Sequence, residues 1–365
     1  MTIRVFIDGA VGTTGLEIRE RLDGRDGIEQ IILSDKDRKD AAKREDALNS
    51  ADFVILCLPD DAARDAVEMI KAAKVRVIDA SSAHRVADGW SYGFPELEPG
   101  QAAQIAEAAR VSNPGCYPTG FLALVRPLIR AGLVPHDHPL TVNAVSGYSG
   151  GGKSMIAEFE DAGAPDHTDT AFRNYGLNLA HKHVPEMTKH ARIVHPPIFQ
   201  PAVARTYRGM LVEVPLPLQA FTRRPSLDAI ENALREAYKD SPIVRVLPGD
   251  VATVRIEEDA GTDRLSLRVF GNPETGQARL VATLDNLGKG AAGAAVQNLN
   301  IMAGVEQTAG RATARSNWEA GRDARPSCSR AMKRKFCARG GAETRRLSPA
   351  AQRYPPPRHL HECCR

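Results

Sequence analysis

The chain reads as an α/β protein of two parts: a Rossmann-type parallel-sheet domain, followed by an α+β domain with a mixed or antiparallel sheet. Three observations predict this. Short, wholly apolar runs alternate with helical patterns over the first third, as parallel strands buried on both faces require. A glycine-rich turn joins the first strand to the first helix. Beyond residue 133 the texture changes to segments that alternate apolar and polar residues, the pattern of half-solvated antiparallel strands.

The elements follow in order. "IRVFIDGAVGTTGLEIRERL" is a strand, a glycine turn and a helix with Leu16, Ile18 and Leu22 at helical spacing. "IEQIILSDKDRKDA" supplies a second strand. "ADFVILCLPDDAARDAVEMIKAAKVRVIDASS" reads as strand, helix, strand, with Asp60 or Asp61 placed to cap the helix. "LTVNAVSGYSGGGKSM", "GMLVEVPLPLQAF" and "RLSLRVFGNPETGQARLVATLDN" carry the alternating strands of the second domain. "GAAGAAVQNLNIMAGV" is a small-residue helix that must pack closely, and a return to the first domain fits it. The expected domains are 1–115 with about 286–308, then 116–285, then a basic tail at 311–365.

The charge divides the same way. Residues 311–365 hold 14 Lys/Arg against 4 Asp/Glu, a balance of +10, so the chain's net +3 leaves 3 − 10 = −7 for the body. An acidic body gives no reason to expect nucleic acid there. The tail is rich in Arg and Pro, has no sustained period, and reads as disordered. No apolar run approaches the roughly 20 residues needed to cross a bilayer. The N-terminus enters a strand directly, without the charged and apolar regions of a signal peptide, which favours the cytoplasm. Only Cys57 and Cys116 of the six cysteines lie in the body, too few for a disulfide framework.

Gly9, Gly12 and Gly15 follow a strand and open a helix, the context a dinucleotide-binding turn needs. Thr13 and Thr14 would offer their N–H groups and the positive end of the helix dipole to phosphates. Asp35 could hold a ribose diol, which favours NAD; Ser34, Arg38 and Lys39 could hold a 2′-phosphate, which favours NADP. The residues leave that choice open.

Cys116 stands between a Pro-Gly turn and an apolar helix in "SNPGCYPTG". There, free N–H groups and the dipole stabilise a thiolate and lower its pKa. Cys57, inside "FVILCL", fits a small core residue instead. A thiolate beside a nicotinamide implies acyl chemistry: an acyl group on sulfur is a thioester, which accepts hydride to become an aldehyde. His181 and His183 alternate in "HKHVPEM" and would face one side of an extended segment, with Glu186 close enough to orient or charge one of them. No third ligand is obvious nearby, so no metal is assigned. Lys153 ends the flexible "SGYSGGGK" loop and suits an anionic substrate. Arg85 in "DASSAHR", with Ser82 beside it, follows the fourth strand at the carboxyl edge where such sheets bind ligands. Asn113, which precedes the cysteine turn, and Glu186 join Ser82, Arg85 and Lys153 as candidate substrate-binding residues.

"GAVGTTG", "DASSAHR", "GFPEL", "SNPGCYPTG", "VSGYSGGGK", "HKHVPEM", "PIFQPAV" and "DNLGKGAAGAAVQNLN" occur in order and together resemble the N-acetyl-gamma-glutamyl-phosphate reductases in their shorter form. The likeness runs to about residue 305. It implies NADPH-dependent reduction of N-acetyl-glutamyl phosphate to the semialdehyde, with release of phosphate, in arginine biosynthesis. Carried over, Cys116 is the nucleophile and the acid–base histidine falls in the His181/His183 pair, with His183 favoured. Asn286 and Gly288 would contact the nicotinamide side, and a homodimer or homotetramer through the second domain is implied. The tail departs from the family. Two alternatives remain at this stage: a reductase of a related acyl phosphate (aspartyl phosphate or an aminoadipate derivative), or a non-catalytic dinucleotide-binding sensor.

Overall fold

The structure is a computed structural model that describes residues 2–310. The basic tail, and with it the expectation of disorder there, lies outside the described residues. Six parallel strands form the first sheet: β1 (Ile3–Asp8), β2 (Ile28–Ile31), β3 (Phe53–Leu56), β4 (Arg76–Asp79), β5 (Ser91–Tyr92) and β6 (Arg110–Ser112). Their order is β2-β1-β3-β4-β6-β5. The sheet is covered on both faces, which is why its central strand β3 is apolar without alternation. Val5, Ile7, Phe53, Ile55, Ile78 and Val111 pack with Ile18 and Leu22 of α1 (Thr13–Leu22) and Ile105 of α4 (Gln101–Glu107). The intervening Phe6, Val54, Leu56 and Val77 pack with Ala47 and Leu48 of α2 (Ala41–Ser50) and Ala63 and Ala66 of α3 (Asp60–Met69).

Two local expectations need correction. Leu16 of the helical triplet is 39% exposed, and Gly15 takes the inward position beside Ile18 and Leu22. Neither Asp60 nor Asp61 caps α3: Pro59 holds the N-cap position without a side-chain bond, and Asp60 instead accepts bonds from the Ser82 N–H and hydroxyl.

The chain then enters α5 (Cys116–Arg130), β7 (Thr141–Gly147), α6 (Gly152–Glu160), β8 (Phe172–Asn174), α7 (His183–Ala191), β9 (Ile198–Ala204) and β10 (Met210–Pro217). It continues through α8 (Leu227–Tyr238), β11 (Val244–Val246), β12 (Leu265–Asn272) and β13 (Gln277–Leu284) to α9 (Gly293–Met302). Seven strands make a mixed sheet in the order β11-β12-β13-β10-β7-β9-β8. Helix α5 lies on it, with Phe121, Leu122, Leu124 and Val125 fully buried against residues such as Val212 and Leu280. Ala295, Val296 and Leu299 of α9 are buried in the core of the parallel sheet, beside Ile18 and Ile105. Among the described residues no helix is long and apolar enough to cross a membrane.

Candidate active site

The strand order of the first sheet reverses at β1, so a crevice opens above the carboxyl ends of β1 and β3. Gly9 sits there with φ +87°, and a Cβ on it would collide with the Cys57 carbonyl at the end of β3. A Cβ at Gly15 would lie 2.5 Å from the Gly9 carbonyl oxygen, so α1 rests directly on the turn. Gly12 is the N-cap of α1 and supplies no side-chain cap, which leaves the first N–H groups of the helix for another acceptor. The Thr13 hydroxyl is buried there without a hydrogen-bond partner. A cradle of free N–H groups with an orphaned hydroxyl fits a bound pyrophosphate.

Two cavities flank this turn. One, of about 430 Å³, runs past Gly9 along β2 and is lined by Arg19, Arg38, Lys39 and Arg44 against the carboxylates Asp8 and Asp35. Asp35 pairs with Arg38 at 3.3 Å and Asp8 with Arg44 at 2.8 Å, so the two carboxylates are spent and cationic charge remains. Ser34 is no part of the lining: its hydroxyl donates to Asp37 and accepts the Asp37 N–H, closing the local turn.

The other cavity, of about 640 Å³, has Gly12, Thr13, Thr14 and Gly15 in its wall together with Cys116, His181, His183, Arg85, Asn113, Lys153 and Asn286. The glycine turn and the cysteine therefore share one space. Cys116 is the first residue of α5, and its turn is fixed by Glu186. That carboxylate accepts the Gly115 N–H at 2.8 Å and the Tyr92 hydroxyl at 2.7 Å on one oxygen, and Arg85 at 3.2 Å on the other. Glu186 is buried and fully engaged, so it is neither a free substrate ligand nor bonded to a histidine, as the sequence had suggested.

The thiol departs from expectation. Burial pushes Cys116 up to about 11, against the lowering effects of the Arg85 guanidinium and of the Tyr117 and Cys116 backbone N–H groups. Desolvation of a thiolate outweighs the helix terminus here. Alkylation of Cys116 in the ligand-free protein should therefore rise about tenfold per pH unit from pH ~7 to ~10 with no plateau, since only the thiolate reacts. A plateau near neutrality, read by site-resolved mass spectrometry, would contradict this. Cys57 also borders the cavity, but burial and the carboxylates Asp79 and Asp8 push it up to about 12.

The histidines do not lie on an extended segment. His183 opens α7, and its backbone N–H donates to His181 Nδ1 at 3.1 Å from the preceding turn. The rings are 4.6 Å apart. Burial, then the Arg85 cation, holds His183 well below its ordinary range; burial, then Lys182, brings His181 down to about 4. Both imidazoles are neutral at pH 7. His183 Nε2 faces the cysteine turn, since a Cβ on Gly115 would lie 2.6 Å from it and 2.6 Å from Arg85 Nη1.

The other expected residues divide. Arg85 is held on three sides, its Nε donating to the Asn113 carbonyl at 3.0 Å and its Nη2 to the Ala80 carbonyl at 3.1 Å, so it acts as a fixed charge. Ser82 is bound to Asp60 and is not in the cavity wall. Asn113 donates to the Ala291 carbonyl at 3.0 Å. Asn286 ties the glycine loop, donating to Ser149 Oγ at 2.8 Å and accepting the Gly209 N–H. Gly288 lies behind the wall, packed on the Thr262 carbonyl with its N–H on Asp285. Tyr175, Lys182 and Ser146 line the cavity and were missed. So was Tyr92, whose bond to Glu186 joins residues 94 apart, a link no local spacing reveals.

Fold and site define the class. The semialdehyde dehydrogenase NAD binding domain matches residues 4–105, and the semialdehyde dehydrogenase dimerisation domain matches residues 116–286. Solved structures agree on the fold: aspartate semialdehyde dehydrogenase from Francisella tularensis, 14% identical, covers 83% of this chain and 100% of its own at a TM-score of 0.64. The Candida albicans enzyme, solved with NADP, gives 0.58 at 15% identity, covering 83% and 99%. Curated relatives are far more similar in sequence. N-acetyl-gamma-glutamyl-phosphate reductase 2 of Nostoc sp. is 51% identical over 319 residues, 84% of this chain and 98% of its own. The Brucella ovis N-acetyl-gamma-glutamyl-phosphate reductase is 52% identical over 309 residues, covering 83% and 100%. The chain belongs to the N-acetyl-gamma-glutamyl-phosphate reductase family.

Proposed function

We propose that this protein reduces N-acetyl-glutamyl 5-phosphate to N-acetyl-glutamate 5-semialdehyde with NADPH, in the cytoplasm and as a homodimer or homotetramer, with 1–115 and about 286–308 holding the cofactor and 116–285 the substrate. The observation that carries this reading is the shared cavity: Cys116, His183 and the glycine cradle of α1 all line one space. The relatives' name supplies the substrate, and the chemistry of the cavity suits it.

Gly12, Thr13, Thr14 and Gly15 would hold the pyrophosphate, and Arg38, Lys39 and Arg44 a 2′-phosphate. Bound there, the cofactor supplies the hydride that takes the acyl group to the aldehyde level. The protein's own part begins with a neutral thiol and a neutral imidazole. As Cys116 attacks the acyl carbon, His183 takes the thiol proton, a carbon–sulfur bond forms, and the carbon–oxygen bond to phosphate breaks with its electron pair leaving on phosphate. Arg85 offsets the charge on sulfur while the proton is away. The N–H groups at the head of α5 and the protonated His183 would stabilise an oxyanion on the reacting carbon. The histidine proton then returns as the sulfur leaves. Lys153 and Lys182 give the cavity its affinity for an anionic substrate.

The reaction is tested in reverse, by following reduced cofactor with N-acetyl-glutamate semialdehyde, phosphate and NADP. Phosphate-dependent reduction supports the reading; a folded protein inactive with both NADP and NAD would overturn it. Replacing Arg38 and Lys39 together with alanine should raise KM for NADP by about tenfold or more and leave KM for NAD nearly unchanged, because only the former carries the phosphate those cations would pair with. Equal effects on both cofactors would place the phosphate elsewhere.

A further inference from the structure

Leu287, Gly290 and Ala291 line the cavity that holds Cys116. Gly290 and Ala291 belong to a helical turn at Gly288–Ala292 wider than an α-helix, and Leu287 immediately precedes it. The Gly290 N–H bonds to the Asp285 carbonyl at 3.0 Å and the Ala292 N–H to the Leu287 carbonyl at 2.9 Å, each five residues back. Such turns need an external hold, since their packing is poorer than that of the α-helix, and they concentrate at functional sites. Gly290 touches the cysteine: a Cβ on it would lie 2.9 Å from Cys116 Cβ.

The hold is Lys289, one residue before that contact. It is 1% exposed and ranks among the largest fully buried side chains. Its Nζ lies 2.8 Å from Glu96 Oε2 and 2.7 Å from Gln297 Oε1, with the Phe94 ring 4.9 Å away on a further side. Gln297 closes the ring by donating to Glu96 Oε1 at 2.9 Å. The three residues come from the "GFPEL" loop, the wide turn and α9. A buried ammonium is costly unless every donor is satisfied, so this one holds its backbone to a narrow range of positions.

We propose that Lys289, through Glu96 and Gln297, is a positioning residue for Cys116: it fixes the wide turn so that Gly290 and Ala291 set where the thiol stands in the cavity. The role rests on Cys116 as nucleophile only for its effect on turnover; the thiol's placement is measurable without turnover.

The test replaces both charges at similar volume, Glu96→Gln with Lys289→Met. No uncompensated charge is then left inside, as Lys289→Met alone would leave. Three properties are read: the melting midpoint, kcat and KM separately, and the alkylation rate of Cys116 in cofactor-free protein, resolved by mass spectrometry. The double variant is expected to melt near the parent temperature. Its kcat should fall about 10- to 100-fold, with KM changed less, as a displacement on the ångström scale does. The alkylation rate of Cys116 should shift about threefold or more at fixed pH. Parent values of kcat and of alkylation in a folded double variant would overturn the proposal and leave Lys289 a core residue. If the double variant does not fold, Gln297→Leu takes the same measurements, with the same two outcomes. Should Cys116→Ser prove active, the nucleophile reading fails while the alkylation result still decides the placement.

Discussion

Cys116→Ser should leave a folded protein whose turnover is about 10⁴-fold slower or worse, in the range seen when a catalytic nucleophile is removed. The folded state should survive because serine differs by one atom and Cys116 contributes only a partly buried contact at the edge of the large apolar core. The chemistry should not survive. A thiol pushed up to about 11 is already a reluctant acid, and a hydroxyl in the same place is far more so, while the one base across the turn is an imidazole held well below its ordinary range. That pair can move a proton from sulfur during attack, when the acyl carbon takes up the developing charge, but not from an alcohol. His183→Asn should cost about 10²–10⁴-fold, the usual worth of general acid–base catalysis, and His181→Asn distinctly less, since His181 Nδ1 is occupied as an acceptor of the His183 N–H. Steady-state rates in the phosphate-dependent direction measure all three. Near-parent turnover in Cys116→Ser would remove the covalent route altogether.

What the sequence made legible follows from the range of the interactions involved. The continuous apolar run of β3 and the glycine turn of β1–α1 are local patterns, and both stand as read. The position of Cys116 at the head of its helix was local too. Its pKa was not: the dipole and N–H groups belong to α5, but burial comes from the elements that close over it, and no stretch of "SNPGCYPTG" contains them. Glu186 misled for the same reason. Three residues from His183, it reads as that histidine's partner, yet α7 begins at His183 and directs the carboxylate to Gly115, Tyr92 and Arg85. Ser34 and Ser82 were taken as free hydroxyls, but Ser34 closes a local turn with Asp37 and Ser82 is bound across to Asp60 at the start of α3. Lys289 and Glu96 stood in motifs already marked, but 193 residues separate them, and their pairing exists only once α9 has entered the first domain's core.

Gly115→Ala should cost about as much activity as losing the histidine, roughly 10²-fold in kcat, with little change in melting temperature. Gly115 has φ −71° and ψ 152°, a conformation alanine adopts freely, so the backbone carries no strain. Its N–H bond to Glu186 is untouched. The atoms nearest the added methyl are Arg85 Nη1 and His183 Nε2, each at 2.6 Å. Arg85 is held by its hydrogen bonds, so the imidazole, whose Nδ1 makes none, is the group that shifts. Fold is therefore kept and alignment lost. The decisive measurement is a double-variant comparison. If the methyl acts by displacing His183, then Gly115→Ala added to His183→Asn should slow the enzyme far less than it slows the parent, because the group it displaces has already gone. Fully multiplicative losses would mean that the methyl acts on something else, with the Arg85 charge next to be tested. A Gly115→Ala enzyme of parent activity would mean that His183 Nε2 does not work across this turn, and the acid–base role would pass to His181.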